Sequence, residues 1–196
     1  MSKYETFMLE ALKEAQIAFD KDEIPVGCVI VKDDVIIARS HNQKESNQNV
    51  LHHAEIIAIN QACQNLNSWR LDECDIYVTL EPCLMCIGAI ASARFKRLVY
   101  GPRDKKYESL DNILKEYLKN FNHQVEVVPG VLETESDNLL KSFFKKLRSK
   151  SWNTWLKEEI IFDIILKSSL KKGFSKTESP FIFSEEIIWE IQNLSL

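Results

Sequence analysis

Asp75-Ile76-Tyr77-Val78-Thr79-Leu80-Glu81-Pro82-Cys83-Leu84-Met85-Cys86 is the stretch that decides the fold. The run from Asp75 to Leu80 is rich in β-branched and aromatic residues and predicts a strand. Pro82 predicts that a helix opens there, because its fixed φ suits a first turn and its missing N–H costs nothing. That helix runs through Met85, Ile87 and Ala89-Ile90. Downstream the alternation repeats: a strand at Arg97-Leu98-Val99-Tyr100, a helix over Leu110 to Leu118, a strand at Val125-Glu126-Val127-Val128 and a helix from Glu133 to about Lys150. Upstream, Phe7, Met8, Ala11, Leu12, Ala15 and Phe19 recur at helical steps, and Val26 to Val31 and Val35 to Ala38 flank Asp33-Asp34 as a hairpin. Apolar positions return at helical spacing in Ala54, Ile57, Ala58, Ala62 and Leu66. Strands alternating with helices predict an α/β fold, a three-layer α/β/α sandwich whose sheet of about five strands is mixed because of the hairpin.

Length and composition agree. The chain has 196 residues, 45% hydrophobic and 28% charged, with five Gly and five Pro. That is one domain plus an appendage, not a disordered or collagen-like chain. The division expected is 1–150 for the domain and 151–196 for a mostly helical C-terminal extension, where the sequence changes character at Trp152 and Trp155. The charged N-terminus is not a signal peptide, and the apolar stretch Ile160 to Leu166 is far shorter than the ~20 residues of a membrane helix. A cytoplasmic protein without a membrane partner is expected. Five cysteines without secretory features favour reduced thiols in metal or catalytic use over a disulfide framework. The net charge of −4 gives no global attraction to a polyanion, so a nucleic-acid partner has to be met by a local basic patch.

His53-Ala54-Glu55 and Pro82-Cys83-Leu84-Met85-Cys86 carry the chemistry. Cys83 and Cys86 lie one helical turn apart at the positive end of a helix, which favours the thiolates that bind metal. A histidine from a neighbouring helix makes a third ligand. A Cys₂His set leaves one tetrahedral position open for water, as in catalytic and not structural zinc sites. Glu55 then serves as the proton shuttle beside that water. A Cys-x-x-Cys pair alone could be a redox pair, but redox chemistry explains neither His53 nor Glu55. Only His53, not the adjacent His52, has the one-residue separation from Glu55; His52 is read as a rim residue, and His41 and His123 as surface residues. Cys28, Cys63 and Cys74 fall in apolar patterns and are read as structural thiols.

His-x-Glu followed by Pro-Cys-x-x-Cys is the zinc deaminase signature. With Ile24-Pro25-Val26-Gly27, Asn42, Trp69-Arg70-Leu71, the run from Tyr77 to Cys86, Gly88-Ala89, Arg103-Asp104 and Phe143-Phe144, the chain resembles the bacterial tRNA-specific adenosine deaminases of the cytidine deaminase-like superfamily over about residues 4–150. The resemblance implies a cytidine deaminase-like fold, one zinc ion per subunit, and hydrolytic conversion of adenosine to inosine at the wobble position of a tRNA anticodon, with an arginine tRNA as the expected substrate. It also implies that Asn42 and the Ala54 backbone contact the flipped base, that Ile24 and Pro25 line the pocket, that Asp104 lies on a loop handling the anticodon backbone, and that the protein is a homodimer. A free-base or nucleoside deaminase and a non-catalytic zinc-binding scaffold are the alternatives. Lys141 to Lys150, with five basic residues and Phe143-Phe144, independently suggests contact with the phosphates of the anticodon stem-loop, with Phe143 expected to stack on a splayed base. After Asp104 the chain runs Lys105-Lys106-Tyr107-Glu108-Ser109 where the family commonly carries a Gly/Ala-rich loop.

Overall fold

The computed structural model describes residues 1–103, 119 and 122–149. The expected helix over Leu110 to Leu118, the Asp104 loop and the 151–196 extension lie outside the described residues. The elements are α1 (Lys3–Asp20), β1 (Gly27–Lys32), β2 (Val35–His41), α2 (Ala54–Leu66), β3 (Asp75–Val78), α3 (Leu84–Ser92), β4 (Arg97–Tyr100) and β5 (Glu126–Val128). A further helix, α4, spans residues 133–149. The chain divides into two compact units, Met1–Phe144 and Lys145–Leu196. In the second only residues 145–149 are described, and all are helical.

The sheet order is β2-β1-β3-β4-β5. β1 pairs antiparallel with β2 and with β3, whereas β3 to β4 and β4 to β5 are parallel. The hairpin closes through Asp33 and Asp34, whose φ values of 49° and 63° are those of a tight two-residue turn that matches strand twist. Both faces of the sheet are covered, which is why its central strands are almost continuously apolar. The two-residue period sorts them. Cys28, Ile30, Ile76, Val78, Leu98 and Tyr100 pack with Ala54, Ala58 and Ala62 of α2 and Ile90 of α3. Val29, Val31, Tyr77 and Val99 pack with Met8 and Ala11 of α1. The three-layer sandwich with a mixed five-stranded sheet is therefore observed.

α1 starts with a complete capping box, Ser2 accepting from the Glu5 N–H while Glu5 accepts from the Ser2 N–H. It lies so close to β1 that a Cβ on Gly27 would meet Ala11 O at 2.0 Å and Ala15 N at 2.4 Å. That contact anchors the strand end from which the segment Glu23 to Val26 enters the sheet.

Candidate active site

His53 and Cys83 are the N-caps of α2 and α3, and Glu55 and Cys86 lie in the first turns of the same helices. Pro82 does not open α3 as its sequence position suggests. The helix begins at Leu84, so the proline precedes the cap and fixes the chain's entry into it. Capping by Cys83 places its sulfur beside the Cys86 N–H in the first turn. Two helix N-termini thus converge on one point, where their dipoles favour negative charge.

The three donor atoms form a nearly regular triangle. Cys83 Sγ is 3.6 Å from His53 Nδ1 and 3.6 Å from Cys86 Sγ, and Cys86 Sγ is 3.6 Å from His53 Nδ1. Zinc–sulfur and zinc–nitrogen bonds at a tetrahedral angle require about 3.8 Å between sulfurs and about 3.6 Å between sulfur and nitrogen, so the trio fits zinc. It is the one His/Cys/Asp/Glu group among the described residues with this capacity. The soft donor set suits zinc over magnesium or calcium. The bond with Cys86, with the help of His53, holds the Cys83 thiol down to about 4, while the same bond and burial push the Cys86 thiol up. His53 is raised, chiefly by its bond to Cys83.

Glu55 is buried, and burial raises its carboxyl above the ordinary range. Its Oε2 has no hydrogen-bond partner among the described residues. A buried carboxylate oxygen without a partner is costly unless something in its working state supplies one. It lies beside Cys86, whose thiol it helps to raise.

Side chains at the end of β2 fix the start of α2. Asn42 Oδ1 accepts from the Ala54 N–H at 3.0 Å, and Ser40 Oγ donates to Ala54 O at 2.5 Å. Both Ala54 backbone groups are therefore engaged, and Asn42 reaches Ala54 with its carbonyl side. The Asn42 N–H donates to Val26 O at 3.0 Å and the Val26 N–H to Ile24 O at 2.7 Å, which joins this corner to the Ile24-Pro25 segment. Pro25 is buried and Ile24 partly exposed.

Other sequence expectations fall differently. Phe143 is buried, its ring 5.9 Å from that of Phe19 and 5.6 Å from that of Phe144, so it belongs to the core, and Phe144 is the ring exposed on α4. Lys141 pairs with Asp137 one turn earlier. His41 is not a surface residue: it is buried, 3.1 Å from Glu14 Oε2 and 3.1 Å from Lys21 Nζ. His123 is half-buried and sits 2.7 Å from Phe95 O. His52 is partly buried, its Nδ1 2.9 Å from Asn47 Nδ2. Cys28 and Cys74 are buried free thiols, as expected, and Cys63 is partly buried. Ser40, which holds Ala54 O at the start of α2, is marked by no sequence motif.

A family model described as MafB19-like deaminase matches residues 1–148. The tRNA-specific adenosine deaminase of Bacillus subtilis (strain 168) is 46% identical over 153 residues, which are 76% of this chain and 94% of that one. That of Rickettsia bellii is 49% identical over 144 residues, 72% of this chain and 99% of its own. The chain belongs to the tRNA-specific adenosine deaminase family. A solved structure from a study of A-to-I editing by tRNA:A34 deaminases at the wobble position of transfer RNA superposes with a TM-score of 0.64 at 42% identity, covering 69% of this chain and 99% of that one. For a tRNA-specific adenosine deaminase family member, the convergence of His53, Cys83, Cys86 and Glu55 at two helix caps is the expected centre of chemistry.

Proposed function

We propose that the chain hydrolyses adenosine to inosine at the wobble position of a tRNA anticodon, an arginine tRNA being the substrate to try first. The observation that carries this reading is the zinc-sized His53-Cys83-Cys86 triangle with the partnerless Glu55 Oε2 beside it, in a chain whose relatives are named tRNA-specific adenosine deaminases. Zinc held by His53, Cys83 and Cys86 supplies the Lewis acidity that makes water nucleophilic at neutral pH. Glu55 accepts a proton from the attacking water and delivers it to the purine, and ammonia leaves as the C6–N bond breaks and a C6 carbonyl remains. Burial raises the Glu55 carboxyl toward working pH, where one group can both take and return a proton. Asn42 presents its amide to the extruded base, beside the Ala54 corner that it holds, and Ile24 and Pro25 form the adjoining wall. Asp104 belongs to the loop handling the anticodon backbone. On α4, exposed Phe144 takes the stacking role that the sequence assigns to Phe143.

Residues 1–150 form the catalytic body in this reading and 151–196 an extension. Homodimerisation is part of it, supported by exposed Val50, Leu51 and Leu84 flanking the metal ligands in sequence. No helix among the described residues is long and apolar enough to cross a membrane; a cytoplasmic location belongs to the proposal because tRNA is the substrate. The test is conversion of an arginine-tRNA anticodon stem-loop bearing adenine at the wobble position, with free adenosine, cytosine and guanine alongside. Conversion of the stem-loop alone, abolished in Glu55→Ala, is expected. Turnover of a free base with an inert stem-loop would assign the chain to small-molecule deamination.

A further inference from the structure

The connection between β2 and α2 begins at Asn42 and ends at His53, so a proposed base contact and a metal ligand sit at its two ends. The ends are tied: the Gln43 N–H donates to His52 O at 3.0 Å, and Asn42 is bound to Val26 as described. The middle of the connection lies in no helix or strand. One side chain from outside holds it. Glu23 Oε1 accepts from the Ser46 N–H and from Ser46 Oγ, both at 2.6 Å, and Oε2 accepts from the Glu45 N–H at 3.2 Å. Glu23 is 1% exposed, and among the described residues no basic side chain pairs with it. Its charge is compensated by loop donors alone, an expensive arrangement that burial would oppose were the donors not fixed. Its own N–H donates to Ala18 O at 2.9 Å at the end of α1, and Ile24-Pro25 follows it directly.

We infer that Glu23 is a positioning residue of the active site: its ionised carboxylate clamps residues 45–46 to the turn that carries Ile24 and Pro25, and so fixes the spacing between the two segments that enclose the base. The inference rests on the proposed function for what that spacing serves. Glu23 touches neither substrate nor metal ligand in this role. Its loss is therefore expected to slow the chemical step by misplacing the base, while RNA affinity and zinc binding survive.

Glu23→Ala, Glu23→Gln and Ser46→Ala are compared with wild type by steady-state kinetics on the stem-loop, zinc content per chain, and amide hydrogen exchange at residues 45 and 46. Glu23→Ala is expected to lower kcat about tenfold or more, since small misplacements of a reacting group are costly. Its KM stays within about threefold of wild type, its zinc is retained, and both amides exchange faster. Glu23→Gln falls between, because its carboxamide keeps an acceptor for Ser46 but opposes an NH₂ to the Glu45 N–H. Ser46→Ala loses about two- to tenfold in kcat, the worth of one hydrogen bond. Wild-type kcat in Glu23→Ala, or a fall in kcat matched by loss of zinc, overturns the inference. Should Glu23→Ala fail to fold, unchanged kcat in both other variants does the same. A wild-type protein inert on the stem-loop would overturn the proposed function instead, and fast exchange of the wild-type Glu45 and Ser46 amides would then independently overturn the clamp.

Discussion

Glu23 and Glu55 are both buried carboxylates, and the chain treats them in opposite ways. Donors from Ser46 and Glu45 outweigh desolvation and hold Glu23 below the usual carboxylate range, while burial raises Glu55, whose Oε2 lacks a partner. The first pattern belongs to a structural anion and the second to a group kept ready to move a proton. Glu55→Gln should accordingly lower kcat by about 10²–10⁴-fold, the usual contribution of an acid–base group, with one zinc still bound; near-normal turnover in single-turnover assays would remove Glu55 from the mechanism. For Glu23 the sign is set by its lowered pKa. Its contribution to stability is present above its unfolded value of about 4.3 and is lost as pH falls through the lower folded value. The stability gap between wild type and Glu23→Gln, read by denaturant unfolding with zinc present, should be full near neutrality and close on acidification; a gap constant across that range would contradict the ionised clamp. The sequence marks Glu55 through its spacing from His53 but gives no sign of Glu23, because an acid at a helix–strand junction is ordinarily solvated. The inward turn of His41 and Phe143 is illegible for a related reason: whether a single polar or aromatic residue turns inward depends on partners such as Glu14 and Phe19 that are distant in sequence.

At the scale of elements, two helices begin where the His53-Cys83-Cys86 triangle lies, and both also bury apolar faces. Ile90 of α3 and Ala54, Ala58 and Ala62 of α2 lie in the core, so the fold does not wait on the metal as a zinc finger does. A chelator is expected to lower the thermal midpoint without unfolding the protein at 25 °C. Zinc at a hundred times its Kd is worth about 2.7 kcal/mol, hence roughly 5–10 °C for a domain of this size. An unchanged midpoint in scanning calorimetry would mean that the triangle holds no metal. Gly27 sets a second constraint at this scale: any Cβ there must displace α1, because the obstructing atoms are backbone. Gly27→Ala should therefore cost about 1–3 kcal/mol or more by overpacking, measured by urea unfolding. Elements with a strong period, including the hairpin, α1, α2 and β3, were legible in sequence. The start of α3 was not, since Pro82 suits the residue before a cap as readily as the first turn, and only the observed cap at Cys83 separates the two.

For the molecule as a whole, the net charge of −4 means that the proposed RNA binding has to be local. On α4, Lys141 pairs with Asp137; Lys145 and Arg148 are exposed and Lys146 is partly buried. If these last three neutralise phosphates of an anticodon loop, each contributes about 0.7 to the slope of log affinity against log salt, the single-strand value. Replacing all three with alanine should then weaken stem-loop binding at low salt, reduce that slope by about 2, and leave kcat at saturating RNA nearly unchanged, because the proposed proton transfer belongs to Glu55. Fluorescence anisotropy of a labelled stem-loop over a salt series measures the slope directly. A triple variant with the wild-type slope would show that the basic run is a solvated helix face and that the RNA is held elsewhere, even if deamination itself proceeds as proposed.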